Sequence, residues 1–145
     1  MYKHILLATD GSELSARAAA EAIRLSKALA ARLTVVTVAI TPAPTVVEGV
    51  VFGPSDEERA KIAKDQASRH LEDVSNAARK AGVRCDLVPV IDQQPYRAII
   101  ETASARTCDL IVMASHGRSG LKALLLGSET QKVLAHSKIP VLVHR

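Results

Sequence analysis

The sequence predicts an α/β fold: one three-layer domain, a five-stranded parallel sheet of order 3-2-1-4-5, and helices on both faces. Three observations carry that expectation. Short apolar runs alternate with segments of helical spacing along the whole chain, which is the pattern of βαβ units. The runs are built from Val, Ile, Leu and Ala, with no Trp, one Phe and two Tyr, as strands buried on both faces usually are. Finally, 145 residues with 48% hydrophobic and 23% charged content suit a single domain with a full core and argue against disorder.

Ile5-Leu6-Leu7-Ala8-Thr9 reads as a buried strand closed by a turn at Asp10-Gly11. Leu14, Ala18, Ala22, Leu25 and Leu29 then mark one face of an amphipathic helix. Leu33–Ile40 is β-branched and forms the second strand. Thr41 to Pro54, with Pro42, Pro44, Gly49, Gly53 and Pro54, reads as a long loop able to cover a site. Ser55-Asp56-Glu57-Glu58 caps a second helix, whose stripe runs through Ala63, Ala67, Leu71, Val74 and Ala78 to Gly82. Val83–Ile91 is a third strand, and Pro95–Arg106 a helix with Pro in its first turn. Cys108–Met113 is the fourth strand, Ser128–Ser137 the last helix, and Pro140–His144 the fifth strand.

Charge and composition narrow the function classes. The net charge is +4 with no run of five like charges, so no nucleic-acid patch is expected, and the shortage of aromatics removes stacking platforms for single strands. The chain enters a strand at once and has no apolar run of 18 residues, so neither a signal peptide nor a membrane span is expected and the protein is read as cytoplasmic. Cys85 and Cys108 are read as buried reduced thiols. His4, His70, His136 and His144 lack metal-ligand spacing.

In a sheet of this kind ligands sit outside the carboxyl ends of the strands where strand order reverses. That selects the ends of strands one and four. After strand four, Ser115-His116-Gly117-Arg118-Ser119-Gly120 is a glycine-bearing turn, and Gly127-Ser128 opens the last helix. Inward-facing amides and a helix N-terminus together form an anion site. Ser128 and Gln131 fit an S-x-x-Q capping box. Asp10 is read as an N-cap of the first helix and as a ligand to a phosphate-bound Mg²⁺, directly or through water. His116 is read as an anchor of its loop rather than a catalytic base, and Arg118 either as reaching phosphate oxygens or as a solvated loop residue.

These residues resemble the universal stress protein family over the whole chain. Ile5–Ser12 (I-L-L-A-T-D-G-S) looks like the family's opening strand and Asp-x-Ser turn. Residues 113–128 are similar to its nucleotide-binding signature, G-x-x-G, nine residues, then G-[S/T], with Ala114 standing where the first glycine is expected. Ser137–Val143 resembles the closing helix-to-strand junction. The resemblance implies a Rossmann-like domain that binds ATP, or AMP or ADP, with Mg²⁺. Ala8, Thr9, Asp10 and Ser12 would line the base and metal side, with Val38 offering backbone groups to adenine. Gly117, Arg118, Gly127, Ser128, Glu129 and Thr130 would surround ribose and phosphates, and Met113, Ala114 and His116 would belong to the same nucleotide site. It further implies a homodimer through Val141-Leu142-Val143 and a protein partner of unknown identity.

The reading that follows is an ATP-binding regulatory protein, not an enzyme, with slow hydrolysis at most; the Walker pattern is absent. The alternative is a dimeric interaction module that binds no nucleotide. A phospho-acceptor receiver domain is set aside, because Asp10 is single and Ile139 separates Lys138 from Pro140.

Overall fold

The alternation of Ile5, Leu6, Leu7 and Ala8 across a strand sends successive side chains to opposite faces, and this fixes the layers of the molecule. In the computed structural model, which describes residues 1–117 and 125–145, β1 (His4–Ala8) is buried throughout. Ile5 and Leu7 join one core with α1 (Glu13–Leu29); Leu6 and Ala8 join a second on the opposite face. The chain continues through β2 (Arg32–Ala39), β3 (Thr45–Val47), β4 (Val50–Phe52), α2 (Asp56–Lys80) and β5 (Cys85–Ile91), then α3 (Pro95–Ala105), β6 (Leu110–Ala114), α4 (Ser128–His136) and β7 (Val141–His144). The main sheet runs β5-β2-β1-β6-β7, parallel at every pairing. Counted without the β3–β4 hairpin, that is the expected order 3-2-1-4-5. Leu71, Val74 and Ala78 of α2 pack beside α1, whereas Ile99 and Ala103 of α3 and Val133 of α4 fill the other side.

Two local expectations change. The segment Thr41 to Pro54 is not simply a loop: β3 and β4 pair antiparallel within it, Val47 against Val50. The two turn residues, Glu48 and Gly49, have φ of 50° and 80°, the paired positive values a tight two-residue hairpin needs. Glu-Gly is a weaker hairpin signal than Asn-Gly, and valines on both faces hide the period of two. Arg59 fixes the root of this arm. Its guanidinium donates to Pro42 O at 3.0 Å and Pro54 O at 2.8 Å while pairing with Asp56. Secondly, Asp10 does not cap α1. Ser12 does, accepting from Ser15 N at 3.2 Å, while Asp10 Oδ1 accepts from Ser12 N at 2.9 Å. Ser55 and Glu58 form the full reciprocal box on α2 (2.7 and 3.2 Å).

The start of β1 is tied across the sheet. Asp109 accepts from Lys3 N (2.8 Å) and His4 N (2.9 Å). Burial opposes ionisation of this carboxyl, but the two amides outweigh it and hold it below the usual carboxylate range. His4 is buried, with Nε2 2.8 Å from Thr34 Oγ1; burial, reinforced by the nearby Arg32 cation, lowers its pKa from 6.5. The folded state therefore binds fewer protons at this site than the unfolded chain. Its contribution is complete above pH 6.5 and is lost as pH falls below that value toward the lowered pKa. Of the two thiols, Cys108 is buried and pushed up to about 11, while Cys85 is only half-buried.

We expect His4→Gln to cost about 1 kcal/mol at pH 7 through loss of the Thr34 contact. It should also flatten the stability profile: in urea titrations, wild type should lose more between pH 7 and 5.5 than the variant does.

Candidate functional site

The site is a notch in the middle of the sheet. β1 stops at Ala8, paired with Val36, while β2 runs three residues further to Ala39 and β6 continues to Ala114. The strand cannot continue because Gly11 has φ +76° and Asp10 closes a turn on Ser12 N. The His70 ring of α2 lies against Gly11, where any side chain would collide with it. Thr9 N donates to Val36 O at 3.0 Å, and Asp92 N donates to Ala39 O at 3.1 Å on the β5 side. Peptide groups alternate along a strand, so the N–H and C=O of Val38 point toward the side that β1 has vacated.

A cleft of about 250 Å³ fills this notch, close to the ~300 Å³ at which small-molecule pockets begin. Val36, Val38, Ile99 and Met113 provide apolar walls, and Thr9, Asp10, His116, Ser128 and Thr130 polar groups. Such a slot suits a flat heteroaromatic ring at one end and charge at the other. The charged end is prepared by α4. Gly127 occupies its N-cap with extended φ −60° and ψ 152°, and, being glycine, offers no side chain to cap the helix. The first-turn amides of Ser128, Glu129 and Thr130 thus lack an intrahelical partner and carry the positive end of the helix dipole.

The expected capping box at Ser128 does not form. Ser128 is the first helical residue, and the Gln131 amide donates instead to Leu126 O at 2.7 Å. The cause lies in Gly127, whose N–H donates to Ser115 O at 2.7 Å. A Cβ there would stand 3.1 Å from His116 Cα and 3.3 Å from Ser115 O. That contact pins Gly127 as the cap and leaves Ser128 facing the cleft. Thr130 Oγ1 donates to Ala114 O at 3.0 Å, so α4 is fastened to the end of β6.

Ala114, which replaces a glycine of the sequence pattern, lies in β6 with negative φ, and its methyl belongs to the core shared with α1. No backbone conformation that requires glycine is lost there. Gly117 is different: a Cβ would strike the Asp10 carboxylate, so the two loops meet across the cleft at this pair. His116 Nδ1 lies 3.2 Å from Oγ of its neighbour Ser115.

Of the expected residues, Ala8, Thr9, Asp10, Val38, Met113, Ala114, His116, Gly117, Gly127, Ser128, Glu129 and Thr130 all line the cleft. Ser12 is not among them, being committed to α1. Glu129 lines it with its carboxylate engaged elsewhere: Oε2 accepts from Tyr96 N at 2.8 Å, capping α3, whose own N-cap Gln94 does not, and Oε1 lies 3.4 Å from Lys132 Nζ. Arg118 lies outside the described residues. Ser15, Val36, Ile40, Pro95 and Ile99 complete the lining and were not anticipated. The period of two in β2 could have yielded Val36 from Val38; Ser15, Pro95 and Ile99 come from helices whose placement no local pattern reveals. Among the described residues, no group of three or more His, Cys, Asp or Glu side chains is placed to hold a metal, and no helix is long and apolar enough to cross a membrane.

A notched parallel sheet with a helix N-terminus at its switch point is a cleft of the doubly wound α/β class. Comparison with known proteins places the chain within that fold class. The sequence model of the Universal stress protein family matches residues 1–145. A universal stress protein of Thermus aquaticus is 37% identical over all of both chains. The solved structure of the Methanocaldococcus jannaschii protein MJ0577 superposes with a TM-score of 0.83 at 28% identity, covering 99% of this chain and 96% of that one. A universal stress protein solved in complex with cAMP superposes with a TM-score of 0.73 at 25% identity, over 99% and 97% of the two chains. The chain belongs to the universal stress protein family.

Two substitutions separate the roles of adjacent residues. Gly127→Ala should cost about 1–3 kcal/mol, since backbone rather than a flexible side chain must move. Ser128→Ala should stay within about 0.5 kcal/mol, where a true cap would cost about 1. Urea denaturation of both variants measures the difference.

Proposed function

We propose that the protein binds an adenine nucleotide in the β1/β6 cleft and acts as a nucleotide-responsive regulator rather than as a catalyst. The observation that carries this reading is the uncapped N-terminus of α4 opening onto an apolar-walled slot. Anions bind at such termini through free amides and the helix dipole, and the slot accepts the base. Val38 supports adenine recognition because its amide and carbonyl form a donor–acceptor pair directed at the vacated β1 position. Asp10 supports a phosphate-bound Mg²⁺, which takes one or two carboxylates and keeps several waters. The relative solved with cAMP is consistent with adenine nucleotides as the ligand class, with ATP the form favoured here. Ala114 gives no reason to prefer a module without nucleotide, because its methyl is absorbed by the core.

Turnover is at most slow in this reading. The cleft's imidazole, His116, is engaged by Ser115 Oγ, and the Asp10 carboxylate is held by Ser12 N. The nucleotide would instead bias what a protein partner meets at the cleft rim. Two chains would pair through β7. Pro140 O and His144 O face β6, accepting from Ile111 N and Ser115 N, so the alternate peptide groups of Val141 and Val143 face outward as a free edge. Two free cysteines are compatible with a reducing, cytoplasmic setting.

Heating the purified protein and reading absorbance at 260 nm should release copurified nucleotide. In calorimetry with Mg-ATP, Gly127→Glu should weaken binding at least tenfold. Asp10→Ala should weaken it more with Mg²⁺ than in EDTA. Unchanged affinity in both variants would remove the site. Val143→Pro, which deletes an outward N–H without touching the β6 ladder, should halve the mass contributed by β7 pairing in light scattering.

A further inference from the structure

The β3–β4 arm exposes Val46, Val47, Val50, Val51 and Phe52, each 54–61% accessible. Val47, Val50 and Phe52 occupy one face and Val46 and Val51 the other, so neither face packs on the body of the chain. The arm is a separate two-stranded sheet, and such a hairpin is only marginally stable in water by itself. It is nonetheless held in place, because the Arg59 side chain, 11% exposed, clasps both its ends. A preorganised, doubly apolar arm is the signature of a contact element rather than of a mobile loop.

We infer that the arm joins two copies of this chain, β4 pairing antiparallel with β4 of the second copy about a two-fold axis through Val51. The edges of the hairpin single out β4. In a two-residue hairpin the closing pair, here Val47 and Val50, exchanges both its hydrogen bonds. The outward peptide group within β4 is therefore that of Val51, flanked by Gly49 and Gly53, all with an N–H. Within β3 it is that of Val46, but the next outward position along that edge is Pro44, which has no N–H and blunts it. An antiparallel ladder is itself two-fold symmetric, so an edge of this kind is complementary to its own copy. The charge pattern agrees. Glu48 at the tip is the one charged residue between Thr41 and Pro54, and antiparallel pairing places the two tips at opposite ends. A lipid surface would instead have to bury that carboxylate. The arm itself contributes fourteen residues, Thr41 to Pro54, against the roughly 20 per side of a standard interface. The contact is separate from β7 and does not rest on nucleotide binding.

Disulfide trapping with light scattering tests it. In a Cys85→Ser background, Val51→Cys should cross-link nearly completely to a covalent dimer under mild oxidation, since paired Cα atoms lie about 5.5 Å apart. Val46→Cys, on the far strand, should not. Val51→Pro, which removes only the outward N–H, should halve the mass whether or not Val143→Pro halves it as well, and leave thermal unfolding unchanged. Absence of the cross-link together with an unaltered mass in Val51→Pro overturns the inference. So does an unaltered mass accompanied by changed Mg-ATP affinity, which would make the arm a cover for the cleft. Val51-dependent binding to phosphatidylcholine–phosphatidylglycerol vesicles, with no cross-link, overturns it in favour of a membrane.

Discussion

The structure depends on one termination: the central strand of the sheet stops before its neighbours do. β1 is flanked on both sides, and Thr9 N still reaches Val36 O, but Gly11 turns the chain away at positive φ. The candidate site occupies the space this leaves. β2 presents the Val38 peptide groups to it, β6 delivers the His116–Gly117 turn beside it, and α4 points its uncapped N-terminus into it. Had β1 continued for two more residues, its ladder would have satisfied Val38 and filled the slot.

The two loops at the notch depend on each other. Asp10 is oriented by the Ser12 amide and lies against Gly117 without room for a Cβ. Gly127 is held by Ser115 O and has backbone against the position a side chain would take. The two glycines therefore serve close approach rather than unusual dihedrals, and this is why glycine matters there while Ala114 is harmless. Thr130 on Ala114 O and Glu129 on Tyr96 N then fix α4 to β6 and to α3.

Much of this was legible in the sequence. Alternating apolar runs and helical stripes specify the layers, because burial of both sheet faces imposes them locally. Asp10, Gly117 and Gly127 could be named from their places at strand ends and a helix start, whereas Thr130 came only from the family resemblance. Errors arose where two residues competed for one local role. Ser12 and Asp10 both fit the cap of α1; Gly127 and Ser128 both fit the cap of α4. Long-range contacts decided each case, through Ser115 O at α4 and through Gly117 and His70 packed around the Asp10-Gly11 turn.

The sequence by itself determined the fold class, a parallel sheet with helices on both faces, since this follows from the alternation of periods. Tertiary structure alone decided that Ser15, Pro95 and Ile99 help to line the cleft, that Glu129 spends its carboxylate on α3, and that residues 45–52 form an exposed hairpin rather than a loop. The reason is physical. Periodicity encodes which face of an element is buried, but it carries no information about which distant element covers that face, or whether any does.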